Sequence, residues 1–417
     1  MLAIALPINR NQPLIMHVDL NSCFATIEQQ ANPLLRGKPI VVAAYNSPKG
    51  TVVAPSIEAK RFGIKTGMRV MDAKLLYPKV IVRTPDPSKY RSVHLLFKKI
   101  FQDYSPDVSP KSIDEAVIDF KDTYALYNRT LPDIGREIKR RFREEIGEWM
   151  RCSIGISTNR FLAKLAASLK KPDGLETIDH TNVLRVYNHT SLLDLSGINT
   201  RYQARLNAQG IFTPMEFYEA SLDTLKKQVF QSILGYYWYL RLRGYEIDQV
   251  DFGRKSFGNT YALGKQTSEP RELARLLLKL CEKTGRRLRR AGYSAQGVHV
   301  SCVYTDFSFW HTGRKVDVPV YTTREIYLKV LRLLNQSGYK KRVRNLAVSV
   351  YDLVPEHSEQ LEMFSSRSHA VAEAMDRIND KYGEFVITPA LMMGMGDTII
   401  DRIAFGGVKE LEELYQQ

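Results

Sequence analysis

The chain has 417 residues, 44% of them hydrophobic, with a formal net charge of +15 and a pI near 9.5. That is apolar material for two to four packed domains, and no apolar run reaches the length of a membrane span. So strong a positive balance asks for a polyanionic partner, either nucleic acid or an anionic membrane surface.

No basic-then-apolar leader with a cleavage site opens the sequence, so secretion is not expected. The four cysteines (Cys23, Cys152, Cys281, Cys302) lie far apart with no Cys-x-x-Cys, and the histidines show no metal-ligand spacing. Reduced thiols, a cytoplasmic location and no zinc site are expected.

Residues 1–13 are a polar lead-in. A strand over 14–21, Leu-Ile-Met-His-Val-Asp-Leu-Asn, carries one carboxylate, Asp19, near its end. A helix follows directly, with Asn21 or Ser22 as N-cap, and its free N–H groups can receive a phosphate beside Asp19. Lys38 to Ala44 reads as a buried strand, 46–50 as a turn and 51–54 as a short strand. Ser56 to Phe62 begins a helix ended by Gly63, and Pro78 with the Pro85-Asp86-Pro87 cluster closes this small module.

Apolar positions recur at helical spacing from Tyr90 to Tyr104. Then comes Ser112-Ile-Asp-Glu-Ala-Val-Ile-Asp-Phe120, with two adjacent carboxylates at the start of a β-forming run. Neighbouring strand residues face opposite ways, so only one of Asp114 and Glu115 faces forward unless the strand ends or bulges there. Laid beside the first strand, this one would gather Asp19, Asp114 and Glu115 at one sheet edge. Three converging carboxylates can hold two hard divalent cations such as Mg²⁺ and leave room for phosphate oxygens. The alternative is that acidic residues at strand ends are solvated caps, and the residues alone leave both readings open.

Pro132 to Trp149 is an amphipathic helix with a charged outer face. A strand over 151–158, a helix over 159–169 and a basic turn, Lys170-Lys-Pro-Asp-Gly174, follow. The strands at 14–21, 110–120 and 151–158 make one α+β sheet domain, with 23–86 inserted into it. Residues 180–245 are mostly helical around a turn, Leu195-Ser-Gly-Ile-Asn-Thr200, which could contact a phosphate or simply join two helices. After a linker at 246–256, the pattern strand 256–263, helix 269–291, strand 296–305, strand 308–320, helix 323–337, strand 344–353 is a ferredoxin-like βαββαβ order. Between Lys255 and Val354 stand 19 Lys/Arg against 7 Asp/Glu. The Gly285–Arg290 cluster and the Lys340–Arg344 turn are expected to supply that charge to a bound polyanion. The interleaved aromatics Tyr304, Phe307, Phe309 and Trp310 are assigned to core. Beyond Pro355 come Gln360-Leu-Glu-Met-Phe364, a short helix (His369 to Tyr382), a Met/Gly-rich segment and an acidic end.

Together these motifs resemble the Y family (UmuC/DinB type) of translesion DNA polymerases. The resemblance rests on Asp19 at a strand end, Glu58-Ala-Lys-Arg-Phe-Gly-Ile64, Ser-Ile-Asp-Glu-Ala at 112–116, Ser153-Ile-Gly-Ile-Ser157 with Phe161-Leu-Ala-Lys164, and Lys171-Pro-Asp-Gly174, all in the family's order over residues 14 to 364. It implies a right-hand polymerase of α+β class: a palm at 14–22 and 87–178, small fingers at 23–86, a helical thumb at 179–245 and a DNA-gripping little finger at 246–355. A C-terminal tail, 356–417, follows, of which the residues beyond 364 lie outside the match.

The resemblance assigns Asp19 and Asp114 to two bridged Mg²⁺ ions, Glu115 to the primer-side ion and the Leu20 carbonyl to a further ligand. It places dNTP contacts at Ser22, Cys23, Phe24, Lys60 and Lys171, with Phe24 as the ring that excludes a ribose 2′-hydroxyl. Departures are Ala54 and Ile57, where many relatives have Thr and Tyr hydroxyls, Lys60 in place of Arg, Ser22 in place of an aromatic, and Gly197-Ile-Asn199 in place of Gly-x-Gly. Gln360, Leu361, Met363 and Phe364 resemble a bacterial sliding-clamp-binding peptide.

The expected activity is template-directed, error-prone extension of primers past damaged bases by a monomer, with primer-template DNA, dNTPs and the clamp as partners and no membrane. A catalytically weak DNA- and clamp-binding member is the alternative; the carboxylate triad, which pure binding does not need, argues against it. A palm-fold nucleotidyl cyclase would need neither the basic module nor the peptide.

Overall fold

The computed structural model describes residues 6–249, 253–355, 367–396 and 398–399. The peptide Gln360, Leu361, Met363, Phe364 therefore lies outside the described residues. The chain divides into two compact units, one ending at Val250 and one beginning at Asp251.

In the first unit the order is β1 (Ile15–Leu20), α1 (Cys23–Ala31), β2 (Ile40–Ala43), β3 (Val52–Pro55), α2 (Ile57–Arg61), α3 (Val70–Leu76), β4 (Ile81–Arg83) and α4 (Pro87–Gln102). It continues β5 (Val108–Pro110), β6 (Glu115–Asp119), α5 (Leu131–Arg141), β7 (Cys152–Ser157), α6 (Arg160–Leu169) and β8 (Leu175–Thr177). Four short helices close it: α7 (Val183–Asn188), α8 (Thr200–Asn207), α9 (Pro214–Glu219) and α10 (Leu234–Arg241).

The principal sheet runs β5-β6-β1-β7-β8, with β1 in the middle and antiparallel to both neighbours. A central strand is buried on both faces, which explains its near-continuous apolar run. Side-chain caps set the helix starts. Ser56 Oγ accepts from Ala59 N–H, Asp86 from Lys89 N–H with Pro87 at the first turn, and Asn159 Oδ1 from Leu162 N–H at 2.7 Å. Asn199 caps α8 through Arg201 and Tyr202 N–H, which gives the Gly-Ile-Asn turn a structural use.

Three expectations change here. The run 110–120 is not one strand: β5 and β6 are separated by a turn at 111–114. The helix begun near Pro132 stays α-helical only to Arg141 and widens into one π turn, Phe142–Ile146. At the head of α1, Ser22 takes the N-cap position in the left-handed region (φ 52) and makes no side-chain cap, while the Asn21 amide is used elsewhere.

Gly155 fixes how α6 lies on the sheet. A Cβ there would meet Ala163 O at 2.0 Å and Ala167 N at 2.2 Å, so only glycine lets this helix close on β7. Gly155→Ala is expected to lower stability by about 3 kcal/mol or more, read from the urea midpoint, because backbone rather than a side-chain tip must move. An unchanged midpoint would contradict the packing described.

The second unit contains β9 (Ser256–Thr267), α11 (Pro270–Arg290), β10 (Tyr293–Tyr304), β11 (Phe309–Val320), α12 (Thr323–Asn335), β12 (Val343–Pro355) and α13 (Arg367–Tyr382). The βαββαβ element order is as expected, and its sheet runs β11-β10-β12-β9, all antiparallel. Each βαβ crossover is split by a strand of the other, the hallmark of a ferredoxin-like domain, though here the second and fourth strands are central. Leu273, Leu277, Leu280, Val330 and Leu334 bury one face of the sheet.

The described part of the tail, residues 367–396 and 398–399, belongs to this unit. Helix α13 and the segment behind it pack on α11. Arg289 pairs with Asp376 at 2.6 Å, Arg286 with Asp380 at 2.9 Å, and Arg290 also reaches Asp380. Lys279 donates to the Met395 carbonyl at 2.5 Å, and Arg275 to the Met393 carbonyl at 2.7 Å. Phe385 lies under Lys279, and Met392 and Met395 pack on Leu278. This corrects the expectation for the Gly285–Arg290 cluster: acidic side chains of the tail neutralise Arg286, Arg289 and Arg290. The Lys340–Arg344 turn remains exposed at Arg342 and Arg344, with the Arg344 guanidinium over Phe307. Phe307 and Phe309 are themselves 71% exposed rather than core.

Candidate active site

The two acidic strands are neighbours, and their register sets the site. Asp19 on β1 stands directly opposite Glu115 on β6, and the Leu20 N–H donates to the Asp114 carbonyl at 2.9 Å. Opposed residues of an antiparallel pair share a face, so Asp19 and Glu115 project together. Asp114 belongs to the turn, because Lys111 and Ser112 N–H both reach back to the Glu115 carbonyl. Leaving the strand is what frees Asp114 from the alternation that would have turned it away.

Asp19, Leu20, Ser22, Cys23 and Asp114 line a cleft of about 500 Å³. The opposite wall comes from β3 and α2: Ala54, Ile57, Lys60 and Arg61. Lys171 and Pro172 close one end. The apolar Ala54 and Ile57 thus line this wall.

Asp114 is pushed up to about 6 by burial and by the Asp19 and Glu115 charges, against the Ser112 hydroxyl that bonds it at 2.5 Å. Glu115 is half-buried, which would raise it, yet His17 and Lys164 hold it down to about 2. Lys164 Nζ is 2.5 Å and His17 Nε2 3.1 Å from Glu115 Oε2. Lys171 Nζ lies 2.7 Å from Asp19 Oδ2. Burial and the Lys171 charge press Lys60 below the ordinary lysine range, with Asp19 and Asp114 partly offsetting this. Cys23 is raised well above a normal thiol by burial and then by Asp114 and Asp19, so it is a neutral wall residue.

Phe24 is fully buried, its ring stacked on Tyr90 at 4.5 Å. Ser22 Oγ is buried without a hydrogen-bond partner among the described residues. The first turn of α1 begins at Cys23 beside Asp19, so its N–H groups open toward the carboxylates.

The donor set suits a divalent cation. His17, Asp19 and Glu115 offer ligand atoms all within 4.8 Å of one another. The ammonium groups on Asp19 and Glu115 mark two places where positive charge is already held. His17 and Lys164 were not assigned from sequence. His17 could have been found from the strand period, two residues before Asp19 on the same face.

Comparison with known proteins decides the family. The model described as impB/mucB/samB family matches residues 18–168, and that for the family's C-terminal domain matches 254–363. DNA polymerase IV of Pelotomaculum thermopropionicum is 33% identical over 398 residues, covering 93% of this chain and 97% of that protein.

The chain belongs to the Y family of DNA-directed DNA polymerases, DinB type.

DNA polymerase IV 1 of Bacillus subtilis is 30% identical over 385 residues, 90% of this chain and 92% of that one. Among solved structures, a Y-family Dbh–Dpo4 chimera superposes with a TM-score of 0.73 at 23% identity, over 82% of this chain and 99% of that chain. An insertion ternary complex of Dbh DNA polymerase gives 0.58 at 22% identity with the same coverage. The fold of this Y-family polymerase is thus shared with chains that have diverged widely in sequence. No described helix is long and apolar enough to cross a membrane.

Proposed function

We propose that this Y-family polymerase extends primers past damaged template bases at low fidelity, using two Mg²⁺ ions. The observation that carries the reading is that Asp19 and Asp114 line a cleft whose other walls are cationic and apolar, with Glu115 paired opposite Asp19 on the neighbouring strand. Asp19 and Asp114, with the Leu20 carbonyl, would hold both ions, and Glu115 the ion on the primer side. Bound Mg²⁺ supplies activation of the primer 3′-hydroxyl and charge stabilisation on the phosphate and pyrophosphate.

The chain's own groups do the rest. Lys171, now paired with Asp19 at 2.7 Å, would be free to meet the triphosphate once Asp19 held a divalent ion. Lys60, Arg61, the Ser22 hydroxyl and the α1 N-terminus receive phosphate oxygens. Ala54 and Ile57 offer the triphosphate no hydroxyl, so binding leans on these cations. Lys164 and His17 keep Glu115 ionised and aimed. In the C-terminal unit Arg342 and Arg344 bind DNA phosphates and set position rather than sequence. A roomy wall of small fingers tolerates a damaged base and discriminates weakly. The peptide at Gln360, Leu361, Met363 and Phe364 tethers the enzyme to a sliding clamp.

Insertion of each dNTP, one at a time, opposite each template base tests this reading. Template-dependent insertion with a high rate of mispairs is expected; insertion indifferent to the template base would contradict it. Phe24→Ala is expected to admit ribonucleotides, raising their kcat/KM relative to dNTPs by at least about 100-fold as the ring that fills the space under C2′ is removed. Unchanged sugar selection would remove Phe24 from that role.

A further inference from the structure

We propose that Asn21, backed by Ser153, is the positioning residue for Lys171: it ties the Lys170–Gly174 turn to the end of the catalytic strand. The inference rests on the polymerase reading above and extends it to a residue that touches no reacting atom.

Asn21 stands two residues beyond Asp19 and is 4% exposed. An Asn at the head of a helix usually caps it, yet here the amide reaches across the sheet instead. Its Oδ1 accepts the Asp173 N–H at 2.7 Å and its Nδ2 donates to Ser153 Oγ at 3.0 Å. Ser153, fully buried on β7, accepts the Gly174 N–H at 3.3 Å. Two consecutive backbone donors of the turn are therefore held by one buried side-chain pair.

The turn has a specific, closely packed backbone conformation. Asp173 lies in the left-handed region (φ 62), and a Cβ on Gly174 would meet the Lys170 carbonyl at 2.3 Å. Its other tethers come from β7, where the Ile154 N–H donates to the Gly174 carbonyl at 3.0 Å, and from the α5 segment, where the Asp173 carboxylate pairs with Lys139 at 3.1 Å and Arg143 at 2.8 Å. Asn21 supplies the tether on the side of Asp19. Lysine carries its charge on a flexible stem, so where the Lys171 ammonium falls depends on where its backbone is fixed. With Asn21 in place that ammonium is 2.7 Å from Asp19. Without it, a buried N–H loses its acceptor, the turn relaxes toward α5, and the ammonium withdraws from the cleft.

The test is single-nucleotide insertion kinetics for the wild type, Asn21→Ala, Lys171→Ala and the double variant, with thermal unfolding of each. Asn21→Ala is expected to raise KM for dNTP by about 10-fold, the loss typical of one charge-assisted contact. Its kcat should stay within about 3-fold of wild type, since ground-state and transition-state binding fall together. Lys171→Ala should raise KM at least as much, and the double variant should be no worse than Lys171→Ala alone. Multiplying losses in the double variant, or a fall in kcat with KM unchanged, would overturn the assignment and leave Asn21 a purely structural residue. If Asn21→Ala does not fold, Ser153→Ala enters the same cycle, with the same expectation and the same overturning result. No insertion by the wild type would instead overturn the polymerase reading, and this inference with it.

Discussion

Asp114→Ala is expected to abolish primer extension, a loss of at least about 1,000-fold in kcat, while leaving DNA binding intact. The carboxylate lines the cleft with Asp19, at the end of the turn that precedes Glu115. In the proposed function DNA affinity rests instead on phosphate contacts spread over the basic surface. The same geometry fixes the effect on stability. Burial and two neighbouring carboxylates raise Asp114 to about 6, so the folded state holds this group under repulsion. Removing it relieves that repulsion, and the variant should melt no lower than the wild type. Parallel measurement of extension, DNA binding by fluorescence anisotropy, and Tm checks all three. Loss of DNA binding together with extension would mean that Asp114 serves the fold rather than the chemistry.

Arg289→Ala is expected to cost about 3 kcal/mol of stability and to leave the salt dependence of DNA binding unchanged. Its guanidinium is 4% exposed and forms a two-pronged pair with Asp376, at 2.6 and 3.0 Å. Truncation leaves Asp376 half-compensated by Arg286 at 3.6 Å. Arg342→Ala is the contrast: exposed at the Lys340–Arg344 turn, it should cost little stability and flatten the slope of log affinity against log salt by about one counterion. The urea midpoint and a salt titration of each variant separate the two roles. A shallower slope for Arg289→Ala would return the α11 cluster to the DNA-binding surface.

That contrast shows what a sequence can and cannot disclose. The strands of the first unit were legible from their short apolar runs, and the βαββαβ order because its period changes between 2 and 3.6 at each boundary. That Asp19 and the Asp114-Glu115 pair would lie on neighbouring strands was legible, but not how Asp114 could reach the cleft beside Asp19. The answer is the break at 111–114, made by the Lys111 and Ser112 N–H groups turning back to Glu115.

The fate of a charge was the least legible feature. Arg286, Arg289 and Arg290 read as free cations because the acids that neutralise them lie 87 to 94 residues later. Lys164 read as part of a motif, and its destination depends on Gly155 letting α6 settle on the sheet. Asn21 read as a helix cap because local propensity favours that use, and a buried partner 132 residues away overrode it. Local pattern gives the elements; which side chains meet is decided by tertiary pairing.

The most direct test of the account is primer extension on undamaged and abasic templates with Mg²⁺ and all four dNTPs, comparing wild type with Glu115→Ala at matched DNA occupancy. Extension of both templates by the wild type, and of neither by the variant, is the predicted result. Bound DNA without extension by the wild type would contradict it, and would make the chain a DNA-binding member of its family in which the apolar wall at Ala54 and Ile57 fails to hold the triphosphate.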